Sequence, residues 1–279
     1  MADRFRYWIF RLLSALRWYG RSRTRYDVHS PFLSEFVREV YRDRRSFYAF
    51  GLIDRIRKHW AGQQQSVTLL QLGAPSRTTT ATTRTAASLV RTNAIGSASG
   101  RFLFRLSLWL RPQRIIEFGT NAGISTLYLH LANTRTPLLT VEGNPEVADL
   151  ARTTFSMAQV SSSLCLFNNR FAEWLTTQKD LERECTLFFL DGNHQQQPTL
   201  EYVRTLLQRV TRDSVFVVAD IHWSAEMEAA WAELKDLPEV TASVDLYHFG
   251  LLFFRPELNG PHLTLIPTRY KPWRVGFFS

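Results

Sequence analysis

Two short clusters of acid and imidazole stand out in this chain: Asp191-Gly192-Asn193-His194 and Asp220-Ile221-His222-Trp223. An imidazole titrates near neutrality and can take a proton from a hydroxyl, and a neighbouring carboxylate can orient it. Asp191, His194, Asp220 and His222 are therefore candidates for general base catalysis. The carboxylates of Asp191 and Asp220 also offer oxygen donors to a divalent cation, and the adjacent His222 would favour a softer, transition-type metal. Asp and Asn form turns and cap helices too, so the clusters gain meaning only from what places them. Each follows an apolar run, at 186–190 and 214–219, of the length of a buried strand.

A third constellation lies upstream. An apolar run at 114–118 ends in Glu117-Phe118 and passes into Gly119-Thr120-Asn121-Ala122-Gly123-Ile124-Ser125. Glycines between a strand and a helix let a ligand approach backbone N–H groups at the helix start. A dinucleotide turn has the form G-x-G-x-x-G. Here three residues separate Gly119 from Gly123. Glu142 closes the next apolar run. A carboxylate at that place can accept both hydrogens of a ribose diol.

This E-x-G-x-x-x-G turn resembles motif I of the class I S-adenosylmethionine-dependent methyltransferases. Its G-T-x-x-G-x-S-T form is similar to their small-molecule O-methyltransferase branch. With His29-Ser30-Pro31-Phe32 near the start and the two acid–imidazole clusters, the chain looks like a bacterial group of that class. The resemblance spans about 101–255. It implies an α/β fold: a Rossmann-like sheet, mostly parallel, with an antiparallel last hairpin. It implies S-adenosyl-L-methionine as cofactor and a small-molecule acceptor, methylated at a hydroxyl oxygen.

By the same resemblance Glu117, Gly119, Thr120, Asn121, Gly123 and Ser125 serve the methionine and ribose end of the cofactor. Glu142 serves the ribose hydroxyls. Arg170 and Phe171 belong to the loop that flanks adenine, and Phe171 has an equal claim to be a core residue. Asp191 borders the cofactor. In the catechol-type relatives, an Asp after strand four and an Asp-Asn pair after strand five hold a divalent cation. Asp191 and Asp220 match two of those positions, but Ile221 replaces the Asn and removes an oxygen ligand. His194 stands where those enzymes place a lysine. We therefore expect His194 as a metal-free base, oriented by Asp191 or Asp220, with a divalent cation as the less favoured arrangement.

The elements that must position these residues follow from periodicity. From 114 onward, strands are expected at 114–118, 138–142, 163–167, 186–190 and 214–219. Helices fall near 123–133, 145–157, 171–178 and 197–210. Near-continuous apolar strands alternating with helices imply a parallel sheet covered on both faces. After a helix at 224–236, runs at 240–246 and 248–254 meet around Tyr247. That join is too tight for a helical crossover, so these two strands should pair antiparallel.

Three segments are expected: a helical N-terminal extension at 1–65, a connecting elaboration at 66–100, and the Rossmann-like domain at 101–279. The extension carries helical patterns at 4–19, 30–41 and 47–60. The elaboration contains a decoy, Val67 to Ala74, that mimics a strand entering a glycine turn. It has Gln71 where an acid would be needed and Pro75 where a small residue would help, so no nucleotide site is expected there.

Composition bounds the rest. A chain of 279 residues that is 45% hydrophobic is an ordinary globular protein. Its formal net charge of +9 favours anionic partners. Much of that excess is local: Arg4, Arg6, Arg11, Arg17, Arg21, Arg23 and Arg25 face only Asp3. Phe5, Ile9, Leu12, Leu13, Leu16 and Tyr19 recur at helical spacing among them. Such a helix either lies weakly on an anionic membrane or, more commonly, packs its stripe on its own domain.

Amino-methylation of nucleic acid is disfavoured by the lack of an Asn/Asp-Pro-Pro-Tyr motif, and cytosine C5 methylation by the lack of Pro-Cys. A dehydrogenase is disfavoured by the glycine spacing, and a non-catalytic binding module by the intact turn and Glu142. No apolar run reaches the ~20 residues of a spanning helix. Cys165 and Cys185 are expected as buried strand residues in a reducing cytoplasm. The sequence sets no oligomeric state.

Overall fold

The computed structural model describes residues 2–70, 82–178 and 181–274. Gln71 and Pro75 of the decoy segment lie outside them. The chain opens with α1 (Ala2–Arg21), α2 (Pro31–Phe36), a π turn (Val37–Tyr41) and α3 (Tyr48–Ala61). A small hairpin follows, β1 (Ser66–Thr68) with β2 (Thr83–Thr85), then α4 (Ala86–Asn93) and α5 (Ser97–Leu110). The alternating core comprises β3 (Arg114–Phe118), α6 (Ile124–His130), β4 (Leu138–Glu142), α7 (Pro145–Ala158), β5 (Leu164–Asn168) and α8 (Phe171–Thr177). It continues through β6 (Thr186–Leu190), α9 (Gln196–Leu207), β7 (Val215–Ala219) and α10 (Ala225–Lys235). The chain closes with β8 (Ala242–Asp245), β9 (Phe249–Phe253) and β10 (His262–Thr264).

The main sheet runs β10-β8-β9-β7-β6-β3-β4-β5. Strands β3 to β7 are parallel, and β9 is antiparallel to both of its neighbours, β7 and β8. The expected final hairpin is therefore present. A further strand, β10, was not anticipated; it adds in parallel to β8. Three residues between proline-containing turns give too little alternation to be legible.

Side-chain alternation splits the core between the two faces. Ile115, Leu187, Phe189, Val215 and Val217 pack with α2 and α5 on one side. Ile116, Phe118, Phe188, Phe216 and Val218 pack with α8, α9 and α10 on the other. A third cluster ties α3, α4, α6 and α7 together around Phe50, Trp60, Tyr128 and Phe155. Capping fixes several entries. Ser30 caps α2 ahead of Pro31, as expected, and Asn144 caps α7 by accepting from Glu146 and Val147 N–H.

Two expectations are corrected. Cys165 is exposed and Cys185 only half-buried. Strand β5 is the sheet's edge, so one of its faces meets solvent. More consequentially, α1 presents its apolar stripe outward: Phe5 is 68%, Trp8 61%, Leu12 61% and Leu16 58% exposed. Its opposite face makes specific contacts instead. Trp18 Nε1 donates to Asp245 Oδ1 at 2.8 Å, buried Ser14 donates to Glu228, and Arg11 stacks on Trp223 and Tyr247. Polar and stacking partners, not burial of leucines, set the orientation of this helix.

Candidate functional site

The carboxyl ends of β3, β4, β5 and β6 align in register: Phe118 faces Val141 and Leu190, and Glu142 faces Asn168. From β3 the chain turns toward β4 on one side, while β6 lies on the other. Ligands of open α/β sheets bind at such a reversal. A cleft of about 640 Å³ opens there. Gly119, Thr120, Asn121, Ser125, Glu142, Arg170, Phe171, Asp191, His194 and Asp220 all line it.

The glycine turn is held tightly. Gly119 has φ +101°, and a Cβ built there would stand 2.1 Å from the Asp191 carbonyl oxygen. Only glycine lets the β3 and β6 turns pass this closely. Gly123 starts α6 at φ +79° against the Phe155 ring and does not line the cleft. Glu142 Oε2 accepts Asn121 N–H and Oε1 accepts Asn144 N–H, each at 2.9 Å. Burial raises its pKa against those bonds. Each oxygen keeps a further lone pair.

Glu117 sits below the cleft floor. It is fully buried, and Oε2 accepts from Thr126 and Thr140 hydroxyls. Oε1 has no hydrogen-bond partner among the described residues. Burial pushes the carboxyl up to about 7, against the nearby hydroxyl of Ser125 and the bonds from Thr126 and Thr140. Phe171 lines the cleft while stacking on Phe118 at 5.0 Å, so core and cleft share its ring.

Asp191, His194 and Asp220 converge. One donor atom from each lies within 4.8 Å of the others. His194 Nε2 is 3.8 Å from Asp191 Oδ1. Burial raises Asp191 to about 6, opposed by the His194 charge and assisted by Asp220. Backbone conformation delivers these groups: Asn193, His194 and Asp220 all have positive φ, at 67°, 32° and 54°. Asn193 is further fixed by donating from Nδ2 to the Tyr202 hydroxyl.

His222 does not join them. Ile221 turns into the core, and His222 emerges on the far side, 4% exposed. Its Nδ1 is 2.9 Å from Glu228 Oε1 and its Nε2 is 2.9 Å from Asp245 Oδ2. Burial alone would lower this imidazole, but the bonds and charges of Asp245 and Glu228 outweigh it and raise its pKa. His222 thus ties α10 and β8 beneath α1, and its expected place beside His194 is corrected.

The facing wall comes from the segment expected to be a mere connection. Leu69, Leu70, Leu89 and the run 92–95 line the cleft. The β1–β2 hairpin is fastened to the start of α7: Thr68 N–H donates to Glu146 Oε2 at 2.7 Å, and Asn144 Nδ2 donates to Thr68 O at 2.9 Å. Trp223 closes the Asp220 side. Thr85 as an N-cap before an apolar helix was a readable signal for α4. Nothing local said that this helix would face the cleft. His29, Phe32 and Tyr41 do not line it; Phe32 packs on Trp109 and Phe253.

Residues 116–221 match a family model described as a methyltransferase domain. That stretch, less than half of the chain, is similar to a methyltransferase domain and runs from β3 to just past β7. Solved structures share its fold. The S-adenosylhomocysteine-bound methyltransferase PaMTH1 of Podospora anserina is 14% identical, with 82% of this chain and 97% of that one covered, at a TM-score of 0.56. The O-methyltransferase TomG of Streptomyces achromogenes, involved in tomaymycin synthesis and solved with SAM, is 17% identical over 80% and 94%, at 0.53. An O-methyltransferase of Bacillus cereus in complex with SAH is 13% identical over 79% and 96%, at 0.52. At such identities the likeness concerns the fold. No curated protein matches the chain by sequence.

Proposed function

We propose that the protein transfers a methyl group from S-adenosylmethionine to a hydroxyl oxygen of a small molecule, with His194 as the base. The observation that carries this reading is the Asp191–His194–Asp220 cluster on the rim of a cleft whose floor is the glycine turn. The residues present suit the cofactor. The fixed carboxylate of Glu142, with free lone pairs at a strand end, suits a ribose diol. Arg170 and Phe171 border the space for adenine, and Thr120, Asn121 and Ser125 border the methionine end.

The cofactor supplies an already activated methyl on a sulfonium. The chain must then orient the acceptor, exclude water and hold a proton. His194 accepts the hydroxyl proton at a ring nitrogen. Asp191, at 3.8 Å, orients the ring and stabilises the imidazolium. Leu69, Leu89 and Trp223 offer apolar surface to the acceptor and keep water out.

A second reading rests on the same geometry: donor atoms within 4.8 Å of one another can hold a divalent cation that orients the acceptor oxygen. Calorimetry with S-adenosylhomocysteine, followed by methyl transfer to a panel of phenols and catechols, tests both. Micromolar binding is expected without added metal. His194→Ala should leave that affinity within about twofold and lower turnover by roughly 10²-fold or more. Absence of binding overturns the cofactor assignment. Unchanged turnover in the variant overturns the base, and abolition of turnover by EDTA selects the cation.

A further inference from the structure

The outward stripe of α1 needs an explanation that the cleft does not supply. Phe5, Trp8, Ile9, Leu12, Leu13 and Leu16 form one continuous exposed face. A free apolar face of this size marks an interaction surface. The helix that bears it holds five arginines and one acid, Asp3. Arg6 and Arg17 lie three turns apart and border the stripe; Arg17 is exposed and also reaches Glu228 Oε2 at 3.3 Å. The helix is seated rigidly from behind by Ser14 and Trp18, so the stripe is not a loose end awaiting burial in its own domain.

A second feature lies at the helix's C-terminal end. A cavity of about 650 Å³ is lined by Arg25, Arg42, Arg44 and Arg269. Its one acid, Asp43, is taken by Arg45 and Arg105. Arg25 and Arg269 stack over Tyr26 and Tyr270, both about half exposed. The cavity is joined to α1 by Tyr19, whose hydroxyl donates to Tyr270 O at 2.8 Å. The apolar stripe and its bordering arginines thus lie on α1, and the basic pocket stands near its C-terminal end, built by Arg25 and the segments around Arg42 and Arg269.

We propose that α1 docks the protein peripherally on an anionic bilayer, its stripe at the acyl boundary and the arginine pocket among phosphate headgroups. Charge decides the occupant. A second copy would set arginines against arginines, whereas anionic lipid complements Arg6 beside the stripe and the arginines of the pocket. No helix among the described residues is long and apolar enough to cross a membrane, so the contact is peripheral. The inference does not depend on methyl transfer.

The test is sedimentation of the full chain with phosphatidylcholine vesicles, with and without phosphatidylglycerol, at low and high salt. Phosphatidylglycerol should raise the bound fraction about tenfold, and high salt should reverse that gain. The exposed-site variant L12E/L16E should lose about tenfold in binding to anionic vesicles. R44E/R269E should lose the phosphatidylglycerol-dependent part alone. Both pairs are exposed, and unchanged unfolding midpoints will verify their folding. Three results overturn the proposal: no binding to anionic vesicles at low salt, equal binding by L12E/L16E, or a solution dimer that L12E/L16E dissociates without any vesicle binding.

Discussion

Glu117 should make the stability of this protein fall as pH rises through neutrality. Its carboxyl is fully buried and its pKa is raised from an ordinary 4.5 to about 7. Above pH 4.5 the unfolded chain gives up this proton while the folded chain keeps it. Folding is therefore favoured at low pH, and the advantage drains away until pH passes about 7. A shift of some two and a half units corresponds to about 3 kcal/mol. Glu117→Gln keeps the shape and an oxygen for Thr126 and Thr140, and it removes the titration. The new amide nitrogen falls where Oε1 already lacks a partner. Thermal unfolding by circular dichroism, from pH 5 to pH 8.5 at constant ionic strength, measures the difference. Wild type and variant should lie close together at pH 5. At pH 8.5 the variant should unfold higher by up to roughly 6–12 °C. An identical gap at both pH values would refute the argument, because a packing or hydrogen-bond effect does not titrate.

Two more outcomes follow from other residues. Gly119→Ala should cost roughly 2–5 kcal/mol, combining a positive φ with a clash against the Asp191 carbonyl, and should weaken S-adenosylhomocysteine binding. An unchanged unfolding midpoint would mean that the two turns are not in contact. His222, with its raised pKa, stabilises the fold fully below its unfolded value near 6.5, and that contribution fades as pH climbs through the higher folded value. His222→Gln should remove that pH-dependent loss between pH 6 and 9 while sparing cofactor affinity. A loss of affinity comparable to that of Gly119→Ala would place His222 at the cleft after all.

The sheet was legible because its signals are local. Strands such as 186–190 are apolar throughout, and their spacing by helix-length segments leaves few topologies. The Glu117–Gly123 turn and Glu142 were legible because a backbone conformation and a strand end demand those residue types. His222 was misplaced because it shares a tripeptide with Asp220. The direction of a side chain after a turn depends on which neighbour enters the core, and here Ile221 does. The cleft wall at Leu69 and Leu89 was missed because it forms through contacts with Asn144 and Glu146, over seventy positions away from Thr68. The stripe of α1 was readable as a stripe. Its outward direction was not, since that is set by Glu228 and Asp245, more than two hundred residues downstream.

That last separation bears on how the protein is made. Ser14 meets Glu228, Trp18 meets Asp245, and Arg23 pairs with Leu265 only once more than two hundred further residues exist. At about 5–20 residues per second, ribosomal synthesis leaves α1 without its seat for on the order of ten to forty seconds. During that interval both faces of the helix are uncovered. The helix is thus fixed in place long after it emerges, and whatever shields it on the nascent chain meets it before its own domain does.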